Sequence, residues 1–459
     1  MPGRSHGGGL SSAVILAAAL VFVAELILNA GGFAVYSKSV SGLFFHYAVP
    51  AVMAALLLAG LRLSRDARAS IALCLVAVIP ALYGAEFVLG WEKDTRVHGG
   101  GDRRSKIEVI SDLRAQGIDA YPVMRAKTLL LPASDGSLVP ALTAEGKPFL
   151  PLASLPRKRV VSCIEGKAWL VYDSDRHGFH NPDGVWNAGS PSVAPPSLAI
   201  VGDSFAHGSC VPSDRNVAAH LRARHGAVIN LGVSGFGPLS ELASIKEYLE
   251  PMRPGVVLWF LFEGNDLTED SAFERRSPLL MSYVDDPSFS QRLFVRAGEV
   301  SVLLKRYLDE RLVEAMARFD RPHDRLLEFL TLENLRGRLG LDEVSLGVAD
   351  PPDHDLLERA LAAAKGLTGS WGGRLILVYL PDSSRYFAAG HNSLLLDDIR
   401  RRVLRTAQGL GLQVIDVHAA FALEKDTAAL FQYPGSHYSE EGYRVVAEAI
   451  EAGLASSRR

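Results

Sequence analysis

The chain is poor in the residues that most often announce a bound metal or nucleotide. Its 459 residues include only three cysteines. Neither Cys-x-x-Cys nor His-Glu-x-x-His occurs, so the spacings that gather a zinc ion are missing and no metal is expected. No glycine-rich phosphate loop follows a strand, and "GDSFAHG" (202–208) lacks the glycine pattern of a dinucleotide fingerprint. Charge of one sign is lacking too: 48 Lys and Arg stand against 51 Asp and Glu, for a net charge of −3. That balance leaves no basic footprint for nucleic acid. Internal repeats and long low-complexity tracts are likewise missing.

Long apolar runs, by contrast, are plentiful. Residues 10–35, 43–61 and 71–91 are each near bilayer length and nearly free of charge, and they raise the mean hydropathy to +0.14. The first could be a cleaved leader, but its length and the two runs that follow argue for a retained span. Arg4 precedes the first run, and Arg62, Arg65 and Arg68 lie between the second and third, whereas only Lys38 lies between the first and second. Positive-inside placement puts the N-terminus and the arginine-rich loop in the cytoplasm. Three spans then deliver everything after Trp91 to the far side of the membrane. The expectation is a bacterial inner-membrane, multi-pass protein with its main domain periplasmic or extracellular. Glu25 and Glu86 are costly within such spans and are expected to face a neighbouring helix or an interface.

Residues 92–196 carry no clean period and read as an irregular lead-in region that ends in the linker "NAGSPSVAPP" (187–196). From residue 197 to 459 the pattern alternates. Apolar runs at 198–201, 227–231, 256–262, 374–380 and 412–416 read as buried parallel strands. Helical patterns near 214–225, 238–250, 355–369, 394–410 and 439–454 separate and follow them. The fold expected is α/β, a doubly wound, five-stranded parallel sheet preceded by three transmembrane helices. One stretch, 267–354, interrupts the alternation and reads as a solvated helical insertion and a surface for a partner protein.

Four short pieces fall at the expected strand ends: "GDSF" (202–205), "NLGVSGFGP" (230–238), "EGND" (263–266) and "GSHYSEEGY" (435–443). Each alone is a turn or a helix cap. Together, and in this order, they resemble the blocks of the SGNH/GDSL family of esterases and acyl-hydrolases. The resemblance covers roughly 197–455 without the insertion. It implies a flavodoxin-like sheet and serine-dependent acyl transfer that needs no cofactor. Ser204 would be the nucleophile and His437 its base. The backbone N–H groups of Ser204 and Gly235 and the side-chain amide of Asn265 would receive the oxyanion.

One position departs from the family pattern. The aspartate usual two or three residues before the histidine is replaced by Gly435 and Pro434. Three readings stay open: a backbone carbonyl orients His437, Asp416 beyond the fifth strand reaches it, or activity is lost. Asp203 is expected to cap a helix, Asp266 to support Asn265, and His207 to be structural or substrate-facing. Cys163 and Cys210 both fall in the exported part, where they either form a bridge or remain two separate buried thiols. An acyl-ester substrate on cell-surface polysaccharide or lipid follows from the location. An O-acyltransferase would use the same residues, and a non-catalytic assembly or binding protein is the third reading.

Overall fold

The computed structural model describes residues 7–30, 43–98, 101–188, 194–319, 326, 329–339, 351–387 and 393–456. Arg4, Lys38, the end of the first expected span and parts of the linker and insertion lie outside them. The chain forms two compact units: Met1–Thr95 with Met316–Val348, and Arg96–Ala315 with Ala349–Arg459.

The second unit is built on five strands: β1 Leu198–Val201, β2 Val228–Asn230, β3 Val256–Phe262, β4 Arg374–Leu380 and β5 Gln413–Asp416. All pair in parallel, in the order β2-β1-β3-β4-β5. Every residue of β3, "VVLWFLF", is buried, as a strand covered by helices on both faces must be. The register sets Val201 beside Trp259 and Phe262 beside Leu380, so β3 and β4 extend beyond the end of β1. The winding direction reverses between β1 and β3, which opens a crevice at their carboxyl ends. Ser204 follows β1 directly at that crevice.

Helices fall where the apolar period places them. Pro238 opens one at its first position, and the final helix, Glu440–Ser456, buries Tyr443, Val446, Ala447, Ile450 and Leu454. The Ser439 hydroxyl caps that helix by accepting from Gly442 N at 3.1 Å. The lead-in region is more ordered than its sequence suggests. It holds a helix, Lys106–Ala115, started by a Ser105/Glu108 capping box. It also holds a three-stranded sheet (120–122, 159–161, 171–173) and two short hairpins.

The opening of the insertion is not solvated, which corrects the expectation for 267–354. Asp270, Glu274, Leu280 and Tyr283 are buried. Glu247, also buried, accepts from Tyr283 OH at 2.7 Å, Gln291 N at 2.6 Å and Leu293 N at 2.7 Å, and so ties the insertion to the core. Solvated character begins with the helix Ala297–Phe319, in which Val300, Leu304, Leu308 and Leu312 are the buried side chains among the described residues.

Among the described residues of the first unit two helices, within Gly9–Asn29 and Arg65–Glu92, are long and apolar enough to cross a membrane. The second expected span is shorter: a π-helical turn, Phe44–Ala48, runs into the helix Val49–Gly60. Glu86 is buried and caps the helix Glu333–Arg338. Its oxygens accept from Asn334 N at 3.0 Å, Asn334 Nδ2 at 2.8 Å and Leu335 N at 2.8 Å. Glu25 and Arg336 share the wall of an otherwise mainly apolar cavity of about 540 Å³ in this unit.

A buried ion pair closes the second unit at the end of β3. Glu263 accepts from Arg385 Nη2 at 2.7 Å, from Asp382 N at 2.7 Å and from Tyr379 OH. The two side chains are 0% and 4% exposed, so neither charge is relieved by water. Arg385→Ala leaves the Glu263 carboxylate stranded and is expected to destabilise the second unit by about 3–5 kcal/mol. Denaturant unfolding followed by tryptophan fluorescence checks this.

Candidate active site

The turn after β1 is shaped by a residue without a side chain. Gly202 has φ +154°, and a Cβ there would lie 2.7 Å from Ala206 Cβ and 2.8 Å from Phe260 Cβ. The chain can therefore pass tightly over β3 into the short helix Ser204–His207. Asp203 caps that helix, as expected, by accepting from Phe205 N at 2.8 Å. In the resting arrangement the Ser204 hydroxyl donates to the same carboxylate at 3.2 Å. His207 is buried between Tyr172 OH and Ser209 Oγ, each at 3.2 Å, and burial holds its ring well below the usual histidine range. It is a structural group and not a base.

His437 enters from the loop before the final helix. Its ring packs 4.9 Å from that of Phe205, the neighbour of Ser204, and Phe205 stacks at 3.9 Å on Phe262 of β3. On its far side Nδ1 lies 2.7 Å from Glu165 Oε1, and its backbone N donates to Glu165 Oε2 at 2.9 Å. One carboxylate thus grips both ring and main chain. An Nδ1–H donated to Glu165 leaves the Nε2 lone pair to act as a base.

Glu165 is the residue that sequence reasoning missed. Asp416 does not take this place, which corrects the expectation for it: its Oδ2 accepts from Arg400 Nε at 3.0 Å. A backbone carbonyl is not needed either. A signal was present in the cysteines, because Cys163 and Cys210 are bonded, with Cα atoms 5.3 Å apart. The bridge fastens a loop two residues short of Glu165 to the segment six residues beyond Ser204. Donor atoms of Glu165, Cys210 and His437 lie within 4.8 Å of one another. The bridge removes the thiolate, so this trio does not form a metal donor set.

Gly235 and Asn265 occupy the neighbouring loops. Gly235 has φ +78°, a conformation that favours glycine, and a Cβ on it would contact Lys127 Cδ at 3.5 Å. Asn265 Nδ2 donates to Asp270 Oδ2 at 2.6 Å, and Lys127 pairs with the other oxygen of Asp270. Asp266 supports this turn by accepting from Phe262 N at 2.7 Å. Asp203, Glu241, Asp266, Asp270 and Glu274 crowd beneath the site, and burial pushes each upward from the ordinary carboxylate range. Glu274 is held by three helix N–H groups, those of Gly237, Leu239 and Ser240. The polar run 174–184 is turn chemistry: Asp175 accepts from His177 N, Phe179 N, Asn181 Nδ2 and Trp186 Nε1.

A cavity of about 660 Å³ shares Glu165 with this site and is lined in part by Trp169, Cys210, Tyr433 and Glu440. The disulfide has a direct chemical check. Of the three cysteines, only Cys74 is expected to alkylate in the denatured chain without reductant, and all three with it. Mass spectrometry of the labelled chain reads the difference.

No protein-family model and no curated relative matches the chain. Among solved structures it is similar to a lipase/acylhydrolase from Enterococcus faecalis, with 16% identity over 57% of this chain and 96% of that one and a TM-score of 0.32. It is also similar to a GDSL-like lipase from Bacteroides thetaiotaomicron VPI-5482, with 11% identity, 57% and 88% coverage and a TM-score of 0.32. A third is a member of the lipolytic protein G-D-S-L family from Veillonella parvula DSM 2008, with 14% identity, 56% and 96% coverage and a TM-score of 0.30.

Proposed function

We propose that the chain is a membrane-anchored serine esterase that cleaves acyl esters outside the cytoplasm. The observation that carries this reading is the Glu165–His437 pair, with the histidine ring packed on the residue after Ser204. In this mechanism Ser204 Oγ turns from Asp203 to His437 Nε2, gives up its proton and attacks the ester carbonyl. Glu165 holds the ring in the productive tautomer and stabilises the imidazolium that forms. The N–H groups of Ser204 and Gly235 and the Asn265 amide receive the developing oxyanion. His437 then protonates the leaving alcohol, and a water molecule it activates releases the acid.

The location is part of the proposal. Three apolar helices anchor the chain in a bacterial inner membrane, with the N-terminus and Arg62, Arg65 and Arg68 on the cytoplasmic side. The Cys163–Cys210 bridge supports an exported domain, because such bonds persist in oxidising compartments. Acylated polysaccharide or lipid at the cell surface is the substrate class proposed. The non-catalytic reading drew its support from the missing acid, and Glu165 takes that support away. Transfer to a sugar hydroxyl uses the same residues and differs only in the acceptor.

The full chain in detergent is expected to hydrolyse p-nitrophenyl acetate and to lose that activity on Ser204→Ala; equal rates for the two proteins would end the hydrolase reading. Glu165→Ala is expected to lower kcat by about 10²–10⁴-fold, as loss of the orienting acid does in other triads, while Asp416→Asn leaves it unchanged. A reporter active only in the cytoplasm, fused at the C-terminus, is expected to be silent. Activity there contradicts the orientation.

A further inference from the structure

An asparagine that receives an oxyanion must offer nitrogen and not oxygen, yet the two ends of a carboxamide have the same shape. Something must choose between them. At Asn265 the Nδ2 end donates to Asp270 Oδ2 at 2.6 Å, while Oδ1 meets no donor among the described residues. A flipped amide would set Oδ1 against a carboxylate oxygen at the same short distance. An ionised Asp270 therefore permits one orientation only. The second Nδ2 hydrogen then remains for a substrate oxygen. The backbone holds the pair together, since Asn265 O accepts from Thr268 N and Asp270 N, both at 3.1 Å.

The charge on Asp270 is itself costly. Its side chain is fully buried, and burial pushes its carboxyl up to about 7. Asp203 from the β1 turn, Asp266 from the same loop, Glu241 from the helix opened by Pro238 and Glu274 from the short helix Ser271–Arg275 all act on it with like charge. The cation that opposes them is Lys127, on the short turn Ala126–Leu129 of the lead-in region. Its stem crosses Gly235 and its ammonium reaches the Asp270 oxygen that Asn265 does not use.

We propose that Asp270 and Lys127 are positioning residues for the oxyanion donor: the Asp270 carboxylate holds the Asn265 amide nitrogen-first, and Lys127 keeps that carboxylate charged. This rests on the serine acyl-transfer reading above. The pH dependence follows from the sign of each contribution. When Asp270 gains a proton, its O–H can donate to Oδ1 as readily as its carbonyl accepts from Nδ2, so the amide loses its single orientation. Activity then falls as pH drops through the Asp270 titration. Removing Lys127 takes away the favourable charge, raises the pH of that titration and moves the acid limb upward.

The test measures kcat and KM for p-nitrophenyl acetate against pH on the full chain in detergent. Lys127→Met is expected to lower kcat at neutral pH about tenfold to a hundredfold, less than outright loss of a donor, with KM unchanged and the acid limb moved to higher pH. Lys127→Arg is expected to restore the wild-type profile. In the Asp270→Asn background, adding Lys127→Met is expected to move nothing further. Lys127 is partly exposed, so its variants are expected to fold. Two results overturn the proposal while Ser204→Ala remains inactive. One is a Lys127→Met enzyme with the wild-type kcat and acid limb. The other is a limb that shifts equally with and without Asp270. An active Ser204→Ala protein fails the acyl-transfer reading itself and is told apart by that.

Discussion

The candidate site depends on a hydrogen bond between two side chains 272 residues apart, Glu165 and His437. An imidazole alone is a weakly directed base. Its two nitrogens compete for one proton, and its ring can rotate away from the serine. A carboxylate on Nδ1 and on the backbone N settles both the tautomer and the ring plane. Such bonds to ionised groups are roughly twice as strong as neutral ones. The cost lies in the chain length between the partners, because bringing distant segments together loses conformational entropy. The Cys163–Cys210 bridge lowers that cost by fastening the Glu165 loop to the segment that follows Ser204.

The lead-in region thereby becomes part of the site. It contributes Glu165, which meets His437, and Lys127, which meets Asp270. The doubly wound sheet supplies the Ser204 turn, the Gly235 loop, the Asn265 loop and the His437 loop. It also places five buried carboxylates close together beneath them. An oxyanion forming above that cluster needs donors whose direction is firmly held. The Asp270 contact gives Asn265 that direction, and the Glu274 contacts with three N–H groups fix the loop that carries Gly235.

Most of the sheet was legible because its signals are local. The runs at 198–201, 256–262 and 374–380 coincide with β1, β3 and β4, since a strand buried on both faces needs an unbroken apolar run. Ser204, Gly235 and Asn265 stood out as candidates because each lies in a short motif just beyond a strand, and His437 because its motif opens the final helix. Glu165 was not. It sits in "CIEGK" on an irregular loop, and nothing in its neighbourhood separates it from any surface glutamate. Asp416 was the more visible acid, since it ends β5, yet Arg400 already holds it. The Cys163–Cys210 bridge, one of the two readings the sequence left open, brings the loop of residue 165 toward the Ser204 turn and so pointed to it. The start of the insertion misled for a related reason: its charges at 270 and 274 are buried partners and not solvated ones.

The first unit has its own logic, with Glu86 explained as a cap for the helix Glu333–Arg338, which returns to the apolar helices late in the chain. The central claim, however, is that a residue of the lead-in region completes the catalytic machinery. Reaction of Ser204 with a fluorophosphonate tests it most directly, because the readout is the nucleophile's own activation and needs no natural substrate. Peptide mass spectrometry is expected to find the phosphonate on Ser204, formed much more slowly in Glu165→Gln than in the wild-type chain. Equal rates in the two proteins, or a label on another residue, would contradict the account.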